Sequence, residues 1–434
     1  MNLVYSKYNT IIIYKEYYLL FNTLRKELLL LDNFLKELIE SVQHYDNSDE
    51  LHKIHSEFYE ILKDKKFLVS RTENELEIAE SYINSMNSDI SHYKLIINPT
   101  MNCNFKCWYC YETHIKDSKM DNNIIEKVSK LISNILDINE LRSFELSFFG
   151  GEPFLYYKKV ILPLLHVTNK ICNEKNVDLS VSFTTNGYLI TTEIVDQIRK
   201  YSSKVSYQIT LDGDENEHDK VRFVSKNKGS YREIVNNIKI VAENNNIVTL
   251  RINYTKSNFS SIINILGDFE KMSQNIKDNI TISLHKVWQE EFKIKDKEYE
   301  EIRKRIKILG FKIPSSLMVD AVKYSCYADK KNQATINYNG DVYKCTARDF
   351  NKDNIEGTID DLGNIIWNSR NDYRNETRLL NKPCKECFLL PMCAGGCSQH
   401  ALEHGLRNKE YCVHDFNEEN KKQFVLEYLE NVLQ

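Results

Sequence analysis

The chain has 434 residues, 42% hydrophobic and 28% charged, with a formal net charge of −4. That is the make-up of a globular protein with room for one large domain and smaller additions. So small a net charge offers no electrostatic case for nucleic acid or a membrane surface, and no apolar run approaches the roughly 18 residues of a membrane span. The opening residues, MNLVYSKYNT, lack the basic and apolar regions of a signal peptide, so a cytoplasmic, reducing location is expected.

The first ninety residues contain no cysteine. Asn9–Tyr14 (NTIIIY), Tyr17–Asn22 (YYLLFN) and Glu27–Leu31 (ELLLL) read as three short strands. Asp32 is placed to cap a helix over Asn33–Val42, whose Phe34, Leu35, Leu38 and Ile39 form one apolar face. A second helix is expected over Leu51–Leu62, a short strand at Phe67–Val69, and a polar helix or linker over Glu73–Ser91. Strands followed by helices in this order form a winged-helix-like pattern. It serves either as a structural cap or as a surface to which a peptide adds as an extra strand.

From Tyr93 onward strands and helices alternate. The expected strands are Tyr93–Asn98, Phe144–Phe149, Leu179–Thr184, Val205–Leu211, Val248–Tyr254 and Thr281–Lys286. Helical spacing runs through Asn122–Leu136, Tyr156–Asn173, Thr192–Tyr201, Tyr231–Asn244 and Phe259–Met272. Repeated βα units imply an α/β fold, a partial (β/α)6 barrel of parallel strands with helices outside. In such sheets the chemistry gathers at the carboxyl ends of the strands.

Three cysteines, Cys103, Cys107 and Cys110, follow the first of these strands at C-x3-C-x2-C spacing within MNCNFKCWYCYE. Three thiolates leave a structural zinc site one ligand short, and a disulfide needs an oxidising compartment. The same three can hold three irons of a [4Fe–4S] cube and leave the fourth iron open. The next strands end in Gly150-Gly151-Glu152-Pro153, in Thr184-Thr185-Asn186-Gly187, and in Leu211-Asp212-Gly213 followed by His218, Asp219 and Arg222. Each is an ordinary βα turn taken singly; together on one rim they describe a pocket. Two glycines let the backbone approach a ligand closely, and Glu152 adds a carboxylate. Cys172, in a helical pattern, reads as a small buried hydrophobe.

These motifs resemble those of the radical S-adenosylmethionine (SAM) superfamily over roughly Tyr93–Lys286. The resemblance implies a [4Fe–4S] cluster on Cys103, Cys107 and Cys110 whose open iron binds the amino and carboxylate groups of SAM. It places Gly150, Gly151, Glu152 and Pro153 by the SAM amino group and Tyr109 by the adenine. Asn186, Asp212 and Arg222 stand where the family makes polar contacts to ribose or carboxylate. The implied chemistry is one-electron cleavage of SAM to methionine and a 5′-deoxyadenosyl radical, with the electron brought by an external donor such as flavodoxin or ferredoxin.

Seven cysteines close the chain: Cys326, Cys345, Cys384, Cys387, Cys393, Cys397 and Cys412. Their pattern is C-x13-G-x4-C, then C-x2-C-x5-C-x3-C, then one more cysteine, with Gly340 in an Asn-Gly hairpin turn, Tyr338–Asp341. A zinc ribbon would use only Cys384–Cys397 and leave the other three unexplained. The pattern resembles the SPASM extension of radical SAM enzymes, which carries two auxiliary [4Fe–4S] clusters. That resemblance assigns Cys384, Cys387, Cys393 and Cys412 to an outer cluster and Cys326, Cys345 and Cys397 to an inner one. The three expected domains are then 1–90, 91–310 and 311–434: a winged-helix-like recognition element, the barrel and the SPASM domain.

The implied activity is maturation of a ribosomally made precursor peptide. The N-terminal element resembles the leader-binding element fused to such enzymes, and three [4Fe–4S] clusters with SAM would carry out an oxidative modification, most simply a crosslink. Anaerobic sulfatase-maturing enzymes share the architecture but place an aspartate directly after the second SPASM cysteine as a base. This chain has Thr346 there, with Asp349 nearby. The alternative of another class is an iron–sulfur electron carrier or peptide-binding scaffold without SAM chemistry. No catalytic base is assigned by the sequence.

Overall fold

The computed structural model describes residues 3–226, 228–292, 294–314, 325–405 and 409–432. Two compact units are present. One consists of the described residues within Met1–Asp89, Leu317–Lys331 and Arg370–Gln434, the other of those within Ile90–Ser316 and Asn332–Ser369.

In the first unit, β1 (Leu3–Tyr5) pairs antiparallel with β5 (Leu68–Ser70), and β2 (Asn9–Tyr14), β3 (Tyr17–Asn22) and β4 (Glu27–Leu31) form an antiparallel sheet in that order. The near-continuous apolar runs of β2 to β4 have a physical reason: both faces of the sheet are covered over most of their area, with Ile13 and Leu30 left exposed. Ile11, Leu20 and Leu29 turn to one side, where Ile39 and Val42 of helix Asn33–Tyr45 and Phe58 and Leu62 of helix Ser56–Asp64 complete a core. Ile12, Leu19 and Phe21 turn to the other side and pack with Leu389, Met392, Val425 and Leu429. The helix expected over Leu51–Leu62 is two helices, Ser48–Ile54 and Ser56–Asp64. They break at His55, whose Nδ1 accepts a hydrogen bond from Phe58 N and so caps the second. Strand β1 was not foreseen; three residues are too few to show a period.

The second unit is built on a ten-stranded sheet. Six parallel strands run through β6 (His92–Ile97), β7 (Ser143–Phe148), β8 (Asp178–Thr185), β9 (Lys204–Leu211), β12 (Ile247–Tyr254) and β13 (Ile280–Lys286). A small ribbon, β10 (Phe223–Ser225) with β11 (Lys228–Gly229), lies between β9 and β12 in sequence. All six strand positions agree with the alternation read from sequence to within two residues. Helices Asn122–Leu136, Thr192–Arg199 and Tyr231–Glu243 match as well. The helix expected from Tyr156 opens instead with a 3-10 turn and a π turn, Tyr157–Ile161, ahead of Leu162–Lys175. Pro163 has no N–H to give to a regular α turn there.

Residues 311–434, expected as one C-terminal domain, are shared between the two units. The reason lies in the sheet. β14 (Gln333–Ile336) pairs in parallel with β6, from Gln333 opposite Lys94 to Ile336 opposite Ile97. β15 (Asp341–Tyr343), β16 (Gly357–Ile359) and β17 (Ile365–Trp367) then extend the sheet as antiparallel neighbours. The Asn-Gly turn joins β14 to β15 as expected, with Gly340 at φ 89°. The cysteine-rich run after residue 370 contributes instead to the cores around β2, β3 and Tyr8 of the first unit. Among the described residues, no helix is long and apolar enough to cross a membrane.

Candidate functional site

Strands β7, β9 and β12 alternate, whereas β6 ends in the apolar run Leu95–Ile97, of which Ile96 borders the barrel cavity. Phe144, Leu146 and Phe148 of β7, Val205, Tyr207 and Ile209 of β9, and Val248, Leu250 and Ile252 of β12 are buried in the helix-covered core. The residues between them are polar: Glu145, Ser147, Gln208, Thr210, Arg251 and Asn253. A closed (β/α) barrel ordinarily fills its centre with branched aliphatics. Here Lys94, Ser147, Thr184, Gln208, Thr210, Arg251 and Asn253 instead line a cavity of about 380 Å³, the size of a small-molecule site. Cys103, Cys107 and Cys110 border the same cavity.

The loop carrying these cysteines is tied to three strand ends. Gly151 N donates to Thr100 O (3.1 Å) and Glu152 N to Asn102 O (2.9 Å). A Cβ on Gly150, whose φ is 94°, would lie 2.6 Å from Thr100 O, and one on Gly151 would lie 2.3 Å from Asn102 O. The two glycines therefore let the cysteine loop lie flat against β7, a closer reason for their presence than approach to a ligand. Both also line the cavity.

Glu152 is fully buried, and its carboxylate is turned into the protein. It accepts from Phe154 N (3.0 Å), Thr185 Oγ1 (2.8 Å) and Asn186 N (2.8 Å), joining the ends of β7 and β8. Burial pushes its pKa up to about 7 against these hydrogen bonds, which favour the charged form. Pro153 is buried at the start of the 3-10 turn. Asn186 donates to Asn104 Oδ1 (2.8 Å), beside Cys103, and its own Oδ1 accepts from Tyr188 N (3.0 Å).

Tyr109 binds the far side of the loop. Its hydroxyl donates to Asp212 at the end of β9 (2.6 Å) and accepts from Arg222 Nη2 (2.8 Å) and from Asn253 Nδ2 of β12 (3.1 Å). Asp212 and Arg222 are both buried and form an ion pair. Desolvation is the largest single influence on the guanidinium and opposes its charge, but Asp212, Cys107 and Tyr109 together outweigh it and keep Arg222 charged. His218 accepts from Asp212 N (3.2 Å) and lies beside Ser230 Oγ (3.0 Å); burial lowers its pKa to about 3, so it is neutral. Tyr109, Asp212 and Arg222, expected around a nucleoside and an amino acid, thus already form one cluster. Tyr109 and Arg222 reach the cavity wall.

The chain after Cys345 meets the same loop. Tyr111 Oη donates to Thr346 O (2.8 Å), and Asp349 accepts from Thr113 N (2.8 Å) and Thr113 Oγ1 (2.7 Å). The residue after the cysteine contributes a carbonyl there, and the nearby carboxylate is occupied in holding the loop.

The donor set fits an iron–sulfur cluster. Burial pushes the thiol of Cys103 up to about 12 and that of Cys110 up to about 11, and raises Cys107. Thiols so placed release their protons only to a group that brings positive charge. In the first unit, Cys384, Cys387, Cys393 and Cys412 all border one cavity of about 40 Å³, with Leu389, Leu390 and Phe416 around it, a donor set that also suits a cluster. Cys326 and Cys397 belong to the first unit and Cys345 to the second. Cys172 is buried in the barrel core.

The polar inner wall was missed by the sequence reading. Its signal was present: FELSFF, VSYQITL and VTLRINY alternate, whereas strands buried on both faces read as continuous apolar runs.

Residues 97–269 match the family model described as the radical SAM superfamily, so the chain carries a radical SAM domain. It is 23% identical over 419 residues to the radical SAM cyclopropyl synthase TigE of Paramaledivibacter caminithermalis, covering 88% of this chain and 82% of that protein. It is 24% identical over 358 residues to a cysteine-type anaerobic sulfatase-maturating enzyme of Clostridium novyi, covering 73% of this chain and 92% of that protein. Among solved structures, it resembles native anSMEcpe with bound AdoMet and Cp18Cys peptide at TM-score 0.54 and 18% identity, over 79% of this chain and 97% of that one. It resembles Streptococcus suis SuiB bound to precursor peptide SuiA at TM-score 0.51 and 18% identity, over 91% and 95%. At these identities the structural likeness is one of fold.

Proposed function

We propose that the chain is a radical SAM/SPASM maturase that oxidatively modifies, most simply by a crosslink, a side chain of a ribosomally made precursor peptide. The observation carrying this reading is the placement of three cysteines on one loop at the mouth of a polar barrel lumen. When bound, a [4Fe–4S] cluster on Cys103, Cys107 and Cys110 with SAM supplies one-electron cleavage of SAM and a 5′-deoxyadenosyl radical that takes a hydrogen atom from the substrate. Gly150 and Gly151 hold the loop against β7, and Glu152 locks that turn to β8. Tyr109, Asp212 and Arg222 fix the loop to β9 and β12, so the lumen keeps its shape as substrate enters.

An external one-electron donor such as flavodoxin or ferredoxin fits the reductive step. Cys384, Cys387, Cys393 and Cys412 are the ligands of an auxiliary cluster that would accept the electron left by an oxidative product. Cys326, Cys345 and Cys397 form a further set on the sequence pattern, giving three clusters. Peptide binding is supported by the likeness in fold to SuiB, solved with its precursor peptide SuiA, and to anSMEcpe, solved with a Cp18Cys peptide.

Among the described residues, strand β4 pairs only with β3 and so offers a free edge, with Leu30 and Phe34 exposed beside it. A leader peptide added there would gain main-chain hydrogen bonds and apolar contacts. The test is fluorescence anisotropy with a labelled precursor peptide, comparing the intact chain with Leu30→Glu. Point variants are preferable to removing residues 1–90, because β2 and β3 cover Leu389, Met392 and Val425. Undiminished precursor binding by Leu30→Glu would refute the edge as the leader site. Sulfatase maturation is disfavoured by Thr346 and by the engagement of Asp349 with Thr113.

A further inference from the structure

Among the described residues lining the lumen, the cations are Lys94, Arg222, Arg251 and Lys286, and the only carboxylate is Glu112. Lys94 is paired with Glu145 (2.6 Å), and Arg222 with Asp212. Arg251 has no carboxylate within ion-pairing distance among the described residues; its Nε donates to Asn253 Oδ1 (2.8 Å). Asn253 is itself held by the Tyr109 hydroxyl, so the guanidinium is positioned from behind and its two terminal nitrogens remain available.

Burial is the main influence on Arg251, followed by Tyr111, Tyr109, Arg222 and Asp212, and the cluster cysteines are not among these groups. Asp212 is already committed to Arg222. Across the strand pair, Arg251 lies opposite Ser283 and Asn253 opposite His285. His285 stays neutral, its pKa lowered to about 4 by burial and by the Arg251 charge. Lys286 at the end of β13 adds a second cation without a carboxylate partner among the described residues; its Nζ donates to Phe292 O (3.2 Å). A part-buried guanidinium without a counter-ion is costly and is matched best by a planar, bidentate anion.

We propose that Arg251 is the receptor for a carboxylate of the substrate segment that enters the barrel, with Lys286 adding long-range attraction at the rim. This rests on the peptide-maturase reading above and adds a substrate class to it: a peptide with an acidic side chain, or a free C-terminal carboxylate, close to the residue modified. Arg251 acts here as a specificity residue, through a paired hydrogen bond to the substrate.

The test uses the full-length, anaerobically reconstituted enzyme with SAM present. Three probes are compared by isothermal titration: an acetylated pentapeptide amide with a central aspartate, its asparagine counterpart, and the asparagine peptide with a free C-terminal carboxylate. The intact enzyme should favour one carboxylate peptide over the neutral one by about tenfold or more, and which one it favours identifies the source of the carboxylate. Arg251→Gln should abolish the preference. Arg251→Lys, which keeps the charge but loses the fork, should retain only part of it.

Circular dichroism melts of both variants establish that they fold, and a misfolded Arg251→Gln leaves the Lys variant as the deciding measurement. No preference in the intact enzyme, no binding of any probe, or a preference undiminished in the folded variants overturns the proposal. So does a fall in SAM affinity with the peptide preference intact, which would assign the guanidinium to the SAM carboxylate. Absence of 5′-deoxyadenosine from the intact enzyme would instead overturn the radical SAM reading, so the two failures are distinguishable.

Discussion

Replacing Tyr109 by Phe removes one oxygen atom from the point where the cysteine loop meets two strand ends. The hydroxyl donates to the Asp212 carboxylate at 2.6 Å, accepts from Arg222 at 2.8 Å, and accepts from Asn253 at 3.1 Å. Hydrogen bonds to charged groups contribute about 1.5–3 kcal/mol each and neutral ones about 0.5–1.5 kcal/mol. Asp212 and Arg222 keep each other as partners in the variant, so part of this is recovered, and a net loss of about 3 kcal/mol is expected. At 1.4 kcal/mol per factor of ten, that is about a hundredfold loss of protection in the loop.

Hydrogen exchange on the metal-free protein reads this directly, because Cys110 N bonds to Cys107 O (3.1 Å) and Ile115 N to Met101 O (3.1 Å). Peptides spanning 103–115 should exchange faster in Tyr109→Phe, while helix Asn122–Leu136 keeps its protection. Unchanged exchange in the loop would refute the claim that this hydroxyl anchors it.

Three further predictions concern Gly151, Glu152 and the iron content. Gly151→Ala should prevent the loop from lying on β7, because the added Cβ meets the Asn102 carbonyl; the variant should lose iron at the first site in elemental analysis, and full iron retention would contradict the packing argument. Burial lifts the Glu152 pKa to about 7 in the folded chain from the ordinary glutamate value of 4.5, so the native state binds the extra proton and stability should fall as pH rises from about 4.5 to 7, then level off. Urea midpoints across that range should show the slope in the parent and a weaker one in Glu152→Gln; equal slopes would refute the linkage. Anaerobic reconstitution should give about 12 irons per chain, from three four-iron clusters, and Cys412→Ala should lower this by about four. A parent value near four with bound zinc would remove the auxiliary clusters.

The barrel was legible because its signals are local and redundant. Each strand is a run of five to eight residues between turn residues, and each helix repeats apolar positions over several turns. Asp32, Asp121 and Thr191 each cap a helix that begins at the following residue, so boundaries there are set by one side chain. What sequence could not convey was which partner each element takes. Strand β14 pairs with β6 across a long stretch of chain, Gln333 lying opposite Lys94 at a separation of 239 residues, and nothing local in QATI selects that edge. The doubly covered sheet of β2 to β4 hid its second face for the same reason, since Leu389 and Val425 lie far along the chain.

The site shows a similar division. Cys103, Cys107, Cys110, Gly150, Gly151, Asn186 and Arg222 were recognisable by residue type and spacing, and all border one cavity. Their working partners were less visible: Glu152 turns inward to Thr185 and Asn186, and Tyr109 is held by Asp212 and Arg222. Arg251 and Glu145 stood in plain alternation with core residues but were passed over, because motif reading favours strand ends over strand interiors.

The most direct test of the radical SAM assignment is an anaerobic assay of the reconstituted protein with SAM and dithionite, read by mass spectrometry for 5′-deoxyadenosine. Formation of 5′-deoxyadenosine by the intact chain, and its loss when Cys103, Cys107 and Cys110 are replaced by Ala, is the predicted result. No 5′-deoxyadenosine from a protein carrying its full complement of iron, or equal amounts from the triple variant, would contradict it.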